Sequence, residues 1–149
     1  MRLFFSYFHI MERTNISSGA PLEDSVGYSR AVRVGNMVFV AGTAAYNGDA
    51  IVAIGDAYGQ TQFILTKIEK ALQQAGADIT HVVRTRIYVT DIANWEAIAQ
   101  AHGEVFKDIK PAATMVVVKA LVDEKLLVEI EADAVIYYAT GLRGLVNAP

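Results

Sequence analysis

Residues 128–136, VEIEADAVI, place an apolar side chain at every second position and an acid at three of the positions between, Glu129, Glu131 and Asp133. Period two belongs to a strand, whose side chains alternate between its faces. The run therefore predicts a β-strand with one face in a core and the other carrying three carboxylates. The preceding run, Ala112 to Val118, contains no cation to set against them, so their partners must come from another strand.

A second period occurs in the middle of the chain. From Ala57 to Ala75 the apolar positions Ile64, Leu65, Ile68, Leu72 and Ala75 recur at steps of three and four, after Asp56 as an N-cap and before Gly76 as a left-handed C-cap. This is the pattern of an amphipathic helix. Ahead of it, residues 29–34 and 37–45 read as two strands joined by a Gly35-Asn36 hairpin turn, and Asn47-Gly48 marks a second turn before a short extended segment, IVAI.

Beyond the helix, residues 82–91 read as a strand with Arg84, Arg86 and Tyr88 on one side and Val83, Ile87 and Val89 on the other. Asp91 or Asn94 is placed to cap a second helix, with Trp95, Ile98, His102, Val105 and Phe106 on one stripe. Pro111 stops that helix. Strands over 112–120 and 126–138, joined by a loop at 122–125, complete the chain.

The order hairpin, helix, strand, helix, two strands predicts an α+β layer: a mixed sheet of five or six strands with two helices on one face. The second sheet face is then left apolar and uncovered. With hydrophobic residues at 53% of the chain, that face is better covered by other copies of the chain than exposed to water, and an oligomer is expected. A chain of 149 residues suits one domain. The expected organisation is a disordered extension over 1–12, a single domain over 13–138 and a tail over 139–149. The apolar start, MRLFFSYFHI, is too short for a membrane span, so no membrane attachment is expected.

Charge and motif content exclude several classes. The formal charge of −3 provides no general attraction for nucleic acid, and RNA is ranked last among partners. The chain has no cysteine, which removes disulfides and thiolate chemistry and fits a cytoplasmic location. Phosphate loops, dinucleotide fingerprints, nucleophile elbows and zinc-helix motifs are missing, and the three histidines stand far apart in sequence. No metal or cofactor is expected.

Arg84 and Arg86 offer cross-strand partners that account for Glu131 and Asp133 without any activity. Glu129 differs in lying at the start of its strand, near the 122–125 loop and an end of the sheet, where clefts form. A carboxylate there orients water or accepts a proton. His102, on the apolar stripe of a helix, reads first as a histidine at the edge of the core and second as a ligand contact.

Several segments resemble the Rid family, also called YjgF/YER057c/UK114 and labelled in part as L-PSP endoribonucleases. They are Pro111-Ala112-Ala113-Thr114 with Val116, Lys119 and Leu121, then Val128-Glu129-Ile130-Glu131, together with GYSRAVRVGNMVFVAGT at 27–43 and VVRTRIYVTDIANW at 82–95. The resemblance runs from about Arg13 to Ile136. It implies a chorismate-mutase-like subunit assembled as a homotrimeric barrel, with small-molecule clefts between subunits. In the deaminase branch such clefts hydrolyse 2-imino or 2-enamino acids, with an arginine clamping the substrate carboxylate and a glutamate and a tyrosine placing the imine and water.

By position the resemblance assigns catalytic roles to Glu129 and Tyr28 and cleft-lining roles to Gly42, Thr43 and the backbone near Met115, and the second reading of His102 adds it to the substrate contacts. The arginine does not carry over, because Ala113 stands in its place, and a second-helix asparagine corresponds to Ala99. A charge-assisted hydrogen bond contributes roughly 1.5–3 kcal/mol, so a simple 2-imino acid loses at least about tenfold in affinity. Lys119 is about 20 Å along the strand from the vacated position; Lys110 is nearer. Three functions follow in order: binding of a small metabolite with hydrolysis of a reactive imine, enamine or related compound, not as a standard 2-imino acid deaminase because Ala113 replaces the clamp arginine; non-catalytic metabolite binding or regulation in the same cleft; and endoribonuclease or translation-inhibitor activity.

Overall fold

In the computed structural model, residues 11–137 are described. Of the extension expected over 1–12, residues 1–10 lie outside them, as does the whole tail expected over 139–149. The strands are β1 (Arg13–Ile16), β2 (Ala31–Val34), β3 (Met37–Thr43), β4 (Tyr46–Asn47), β5 (Ala50–Ile51), β6 (Val82–Val89), β7 (Ala112–Val117) and β8 (Val128–Val135). The helices are α1 (Pro21–Val26), α2 (Ala57–Gln74) and α3 (Trp95–Phe106), with single 3-10 turns at Ile79–His81 and Ile92–Asn94.

Six strands form one mixed sheet in the order β1-β2-β3-β8-β6-β7, and β4 and β5 form a separate hairpin. The β6–β7 pair is parallel and the other pairs in the sheet are antiparallel. A parallel pair needs a crossover, and α3 provides it. This is the expected α+β architecture.

Helix α2 begins and ends where its sequence requires. The Asp56 carboxylate accepts from the Gly59 amide at 3.0 Å. At the other end Gly76 takes a left-handed φ of 78°, while the Ala77 amide donates to Leu72 O and the Gly76 amide to Gln73 O. That crossed pair is the Schellman arrangement, which satisfies the last carbonyls and suits glycine at the left-handed position. Ile64, Ile68 and Leu72 of α2 pack with Ile98 and Phe106 of α3 onto Val38, Ile87, Val128 and Ile130.

Three expectations need correction. Val83 is 42% exposed instead of buried, because the β6–β8 register shifts between Val82 and Arg84. The shift resets the alternation, so Val82, Thr85, Ile87 and Val89 face the core. On α3, Trp95 is 50% and Val105 37% exposed, and the buried stripe is Ile98, Ala101 and Phe106. Helical side chains lean toward the N-terminus, so Trp95, first in the helix, overhangs its end; Val105 lies on the rim of the α2–α3 groove beside Leu65 and Ala101. The cap before α3 is also divided, with Asp91 accepting from the Ala93 amide and Asn94 making no side-chain cap bond.

Two elements carry no sequence signal strong enough to predict them. Strand β1 has four residues and pairs only with β2. Helix α1 has six residues, starts at a proline, and carries the buried Glu23. Strand β7 ends at Val117 and β8 spans 128–135, both shorter than expected.

Candidate functional site

The acid stripe divides as its sequence position suggests, but Arg84, expected as a second partner, forms no ion pair among the described residues. On the open sheet face Arg86 pairs with both Glu131, at 3.0 Å, and Asp133, at 3.2 Å, and the Tyr88 hydroxyl donates to Glu131. Glu129 has no ion-pair partner among the described residues. It sits opposite Tyr88 in register, at the start of β8. Burial raises its carboxyl above the ordinary carboxylate range; the Arg30 charge works against that rise and Glu131 adds to it.

An irregularity in β3 creates the space that Glu129 fills. Val40 pairs with Ala132 and Thr43 with Ile130, so Ala41 and Gly42 together stand opposite the single residue Glu131. This is a two-against-one bulge. The Glu129 side chain lies directly on Gly42, where a β-carbon would collide with Oε1 and come within 3.2 Å of Cδ. Only a glycine allows that approach. Thr43 is buried, with its hydroxyl donating to the Ala41 carbonyl at 2.8 Å.

Arg30, immediately before β2, holds the same bulge. Its Nη2 donates to the carbonyls of Ala41 and Gly42, the latter at 2.7 Å, while its Nε is buried without a partner among the described residues. Burial lowers the guanidinium pKa, with Tyr28, Glu23 and Glu129 opposing that shift. Further along the segment, Lys67 of α2 donates to Tyr46 O at 2.8 Å and approaches Ala44 O at 3.4 Å. Burial, and then the Arg30 charge, lower its pKa.

Glu23 anchors the approach to β2. Its carboxylate accepts from the Ser17 hydroxyl and from the Ser18 hydroxyl and amide. Burial pushes this carboxyl up, but the serine hydrogen bonds and Arg30 outweigh it and leave the group below the ordinary range. Tyr28, 39% exposed, follows α1 and lines an open-face concavity of about 680 Å³ with Phe39, Ala41, Glu131 and Asp133.

The remaining predicted residues gather elsewhere. In the β6–β7 register Thr85 pairs with Ala113 and Ile87 with Met115, so Ala113 and Met115 share the helix-covered face with buried Thr85 and Ile87. His102 reaches that face from α3, with Nε2 3.0 Å from the Thr85 hydroxyl and its ring 4.5 Å from Phe106. Burial lowers its pKa. The candidate residues thus fall into two groups, Glu129, Gly42 and Arg30 in one, Ala113, Met115 and His102 in the other. Among the described residues no group of three acids and histidines is arranged to hold a metal ion.

The profile of the family described as endoribonuclease L-PSP matches residues 19–136. This chain belongs to that family, the YjgF/Rid family. A solved member of the YjgF/YER057c/UK114 family from Mycobacterium tuberculosis is 50% identical, with a TM-score of 0.76, covering 84% of this chain and all of the other. An uncharacterized protein of Streptomyces coelicolor is 37% identical over 80% of this chain and 89% of its own. The 3-aminoacrylate deaminase RutC of Acinetobacter baylyi is 33% identical over 72% of this chain and 85% of its own.

Within this Rid-family frame, sequence reading overlooked Arg30 and Lys67. Arg30 sits in an alternating strand approach, where an arginine looks like any solvated one, and Lys67 occupies a polar position of a helix. Their carbonyl partners, at Ala41 to Tyr46, depend on the bulge and on the packing of α2, and neither leaves a mark in spacing.

Proposed function

We propose that the chain forms a homotrimer whose inter-subunit clefts bind a small reactive imine or enamine and hydrolyse it. The observation that carries this reading is Glu129: a half-buried carboxylate without an ion-pair partner among the described residues, pressed on Gly42, with its pKa raised above the ordinary carboxylate range by burial. Such a group is a better base at neutral pH than an ordinary carboxylate. Glu129 takes a proton from water as the water oxygen adds to the imine carbon. It returns that proton to nitrogen to give a carbinolamine, then relays the hydroxyl proton to the amine as the carbon–nitrogen bond breaks and the carbonyl forms, releasing a carbonyl compound and ammonia. Tyr28 supplies a hydroxyl or a ring wall.

The trimer is supported by the exposed apolar residues of the open face and free edge: Phe39 is 43%, Val116 43% and Val117 54% exposed. A neighbour covering them brings one subunit's Ala113, Met115 and His102 toward another's Glu129. The deaminase named among the relatives supports the chemistry. The test is ammonia release from imino acids generated in situ by an amino-acid oxidase. Release above buffer that disappears in Glu129→Gln is expected; release at the buffer rate across several side chains refutes catalysis.

Ala113 favours a second reading, non-catalytic ligand binding in the same cleft, since a charged residue found in the deaminase branch is replaced there by a methyl group. Ala113→Arg separates the two readings, because a competent frame lacking only its clamp gains activity. RNA cleavage has weaker support: Arg86, on the open face, is already committed to Glu131 and Asp133.

A further inference from the structure

We infer that Gln60, in the first turn of α2, is a positioning residue for Glu129: its carboxamide clamps the chain entering β8 and so fixes where the candidate base stands. The inference rests on the role given to Glu129 above and adds the part that holds that carboxylate in place. Gln60 is fully buried. Its Nε2 donates to Lys125 O at 2.9 Å, and its Oε1 accepts from the Leu127 amide at 2.9 Å. One side chain thus grips the two residues that flank buried Leu126.

The need for such a grip lies in how β8 begins. Its ladder with β3 ends at the pair Thr43 and Ile130. Val128 and Glu129 lie before that pair, so among the described residues their strand partners are on the β6 side alone, Val89 and Tyr88. The strand is therefore held from one side at the residue whose carboxylate must stay on Gly42. The bonds to Gln60 take hold two residues upstream of Glu129, and Leu127 O, accepting from the Thr90 amide at 3.2 Å, ties the same residue to the chain leaving β6. Glu129 stands between these two anchors, Leu127 and Ile130.

The chemistry of the two partners selects glutamine. One is a carbonyl and the other an amide, so the side chain must donate at one tip atom and accept at the other; a carboxamide does both, and a thioether of similar length cannot donate. Helix α2 makes a firm mount, since Asp56 caps it at Gly59 and Ile64 and Ile68 root it in the core. Displacing a reacting group by about 1 Å through a change outside the site costs on the order of 100-fold in rate, so a clamp at this point governs turnover without touching the ligand.

The test is Gln60→Met, with Leu72→Ala, a core substitution near the far end of α2, as the control for lost stability alone. In protein labelled at the glutamate carboxyl carbons, the NMR titration of Glu129 is assigned by its disappearance in Glu129→Gln. Burial holds this carboxyl above the ordinary range, and release from its place on Gly42 hydrates it. Its midpoint is therefore expected to move down in Gln60→Met and to stay put in Leu72→Ala. Ammonia release is expected to fall about 100-fold in kcat with KM nearly unchanged, the mark of a displaced base. Should Gln60→Met fail to fold, Gln60→Asn takes its place, because its shorter carboxamide cannot reach both partners. A Glu129 midpoint unmoved in the Gln60 variant, or moved equally by Leu72→Ala, overturns the inference. Midpoint and turnover also separate the two readings: a moved midpoint in a protein that releases no ammonia sinks the hydrolysis and leaves the clamp, whereas an unmoved midpoint in an active protein sinks the clamp alone.

Discussion

Glu129 and Ala113 lie on opposite faces of the same sheet. Glu129 is in register with Tyr88 on the open face, whereas Ala113 is in register with buried Thr85 on the helix-covered face. No rearrangement of one subunit brings them together without breaking the β6–β7 and β6–β8 ladders. A cleft containing both requires a second copy. If the proposed trimer forms, Phe39→Glu is expected to convert it into monomers and to abolish the proposed imine hydrolysis, since an unpaired carboxylate buried at each contact costs several kcal/mol. Light scattering after gel filtration reads the mass; an intact trimer in this variant contradicts the covered open face.

Gly42→Ala tests the contact that places the base. The added methyl group cannot coexist with the present position of Oε1 of Glu129, and overpacking of this kind costs about 1–3 kcal/mol. Urea unfolding is expected to show that loss with a cooperative transition retained. Ammonia release should fall much further than stability does. Unchanged turnover in this variant argues that the Glu129 position is irrelevant to catalysis.

Glu129→Gln has a definite pH signature. Because burial raises the folded-state pKa, the folded protein holds this proton more tightly than the unfolded chain does. Stability then falls as pH rises from the ordinary carboxylate value through the raised one, and the cost is fully present above it. Glutamine removes that cost. The variant is expected to unfold at higher urea than the wild type at pH 7, with the difference shrinking below the ordinary carboxylate pKa. A gap that widens in acid is the opposite sign and rejects the raised pKa.

Glu23→Ala probes the opposite case. This carboxyl is lowered on balance, as its hydrogen bonds to Ser17 and Ser18 and the Arg30 charge overcome the effect of burial. Its contribution is present above the unfolded-state pKa and lost as pH falls through the folded-state one. At neutral pH the substitution is expected to cost about 1–2 kcal/mol, with a smaller cost in acid. Calorimetric unfolding at the two pH values measures both.

Much of the architecture is legible in the residues themselves. The alternation of 128–136, the helical period of 57–75, the Asp56 and Gly76 signals and the proline at 111 each act through local backbone geometry, and each appears where expected. The Val83 reversal does not, because a one-residue bulge changes the face of a side chain without changing its neighbours in sequence. Strand β1 and helix α1 also escape, being short, polar and held by partners such as Gly35, whose amide donates to the Glu12 carbonyl. In the candidate site Glu129 is foreshadowed by its place at a strand end, while Arg30 and Lys67 are not.

What the chain alone determined is which residues are apolar, with what period, and where turns can form; these are properties of neighbouring residues, and they suffice for an α+β layer with one face open. The β3 bulge, the contact of Glu129 with Gly42, the gathering of Arg30 and Lys67 around residues 41–46, and the separation of Glu129 and Ala113 onto two sheet faces were decided only by tertiary structure. They join residues tens of positions apart, so their energies depend on packing and burial that no local pattern records.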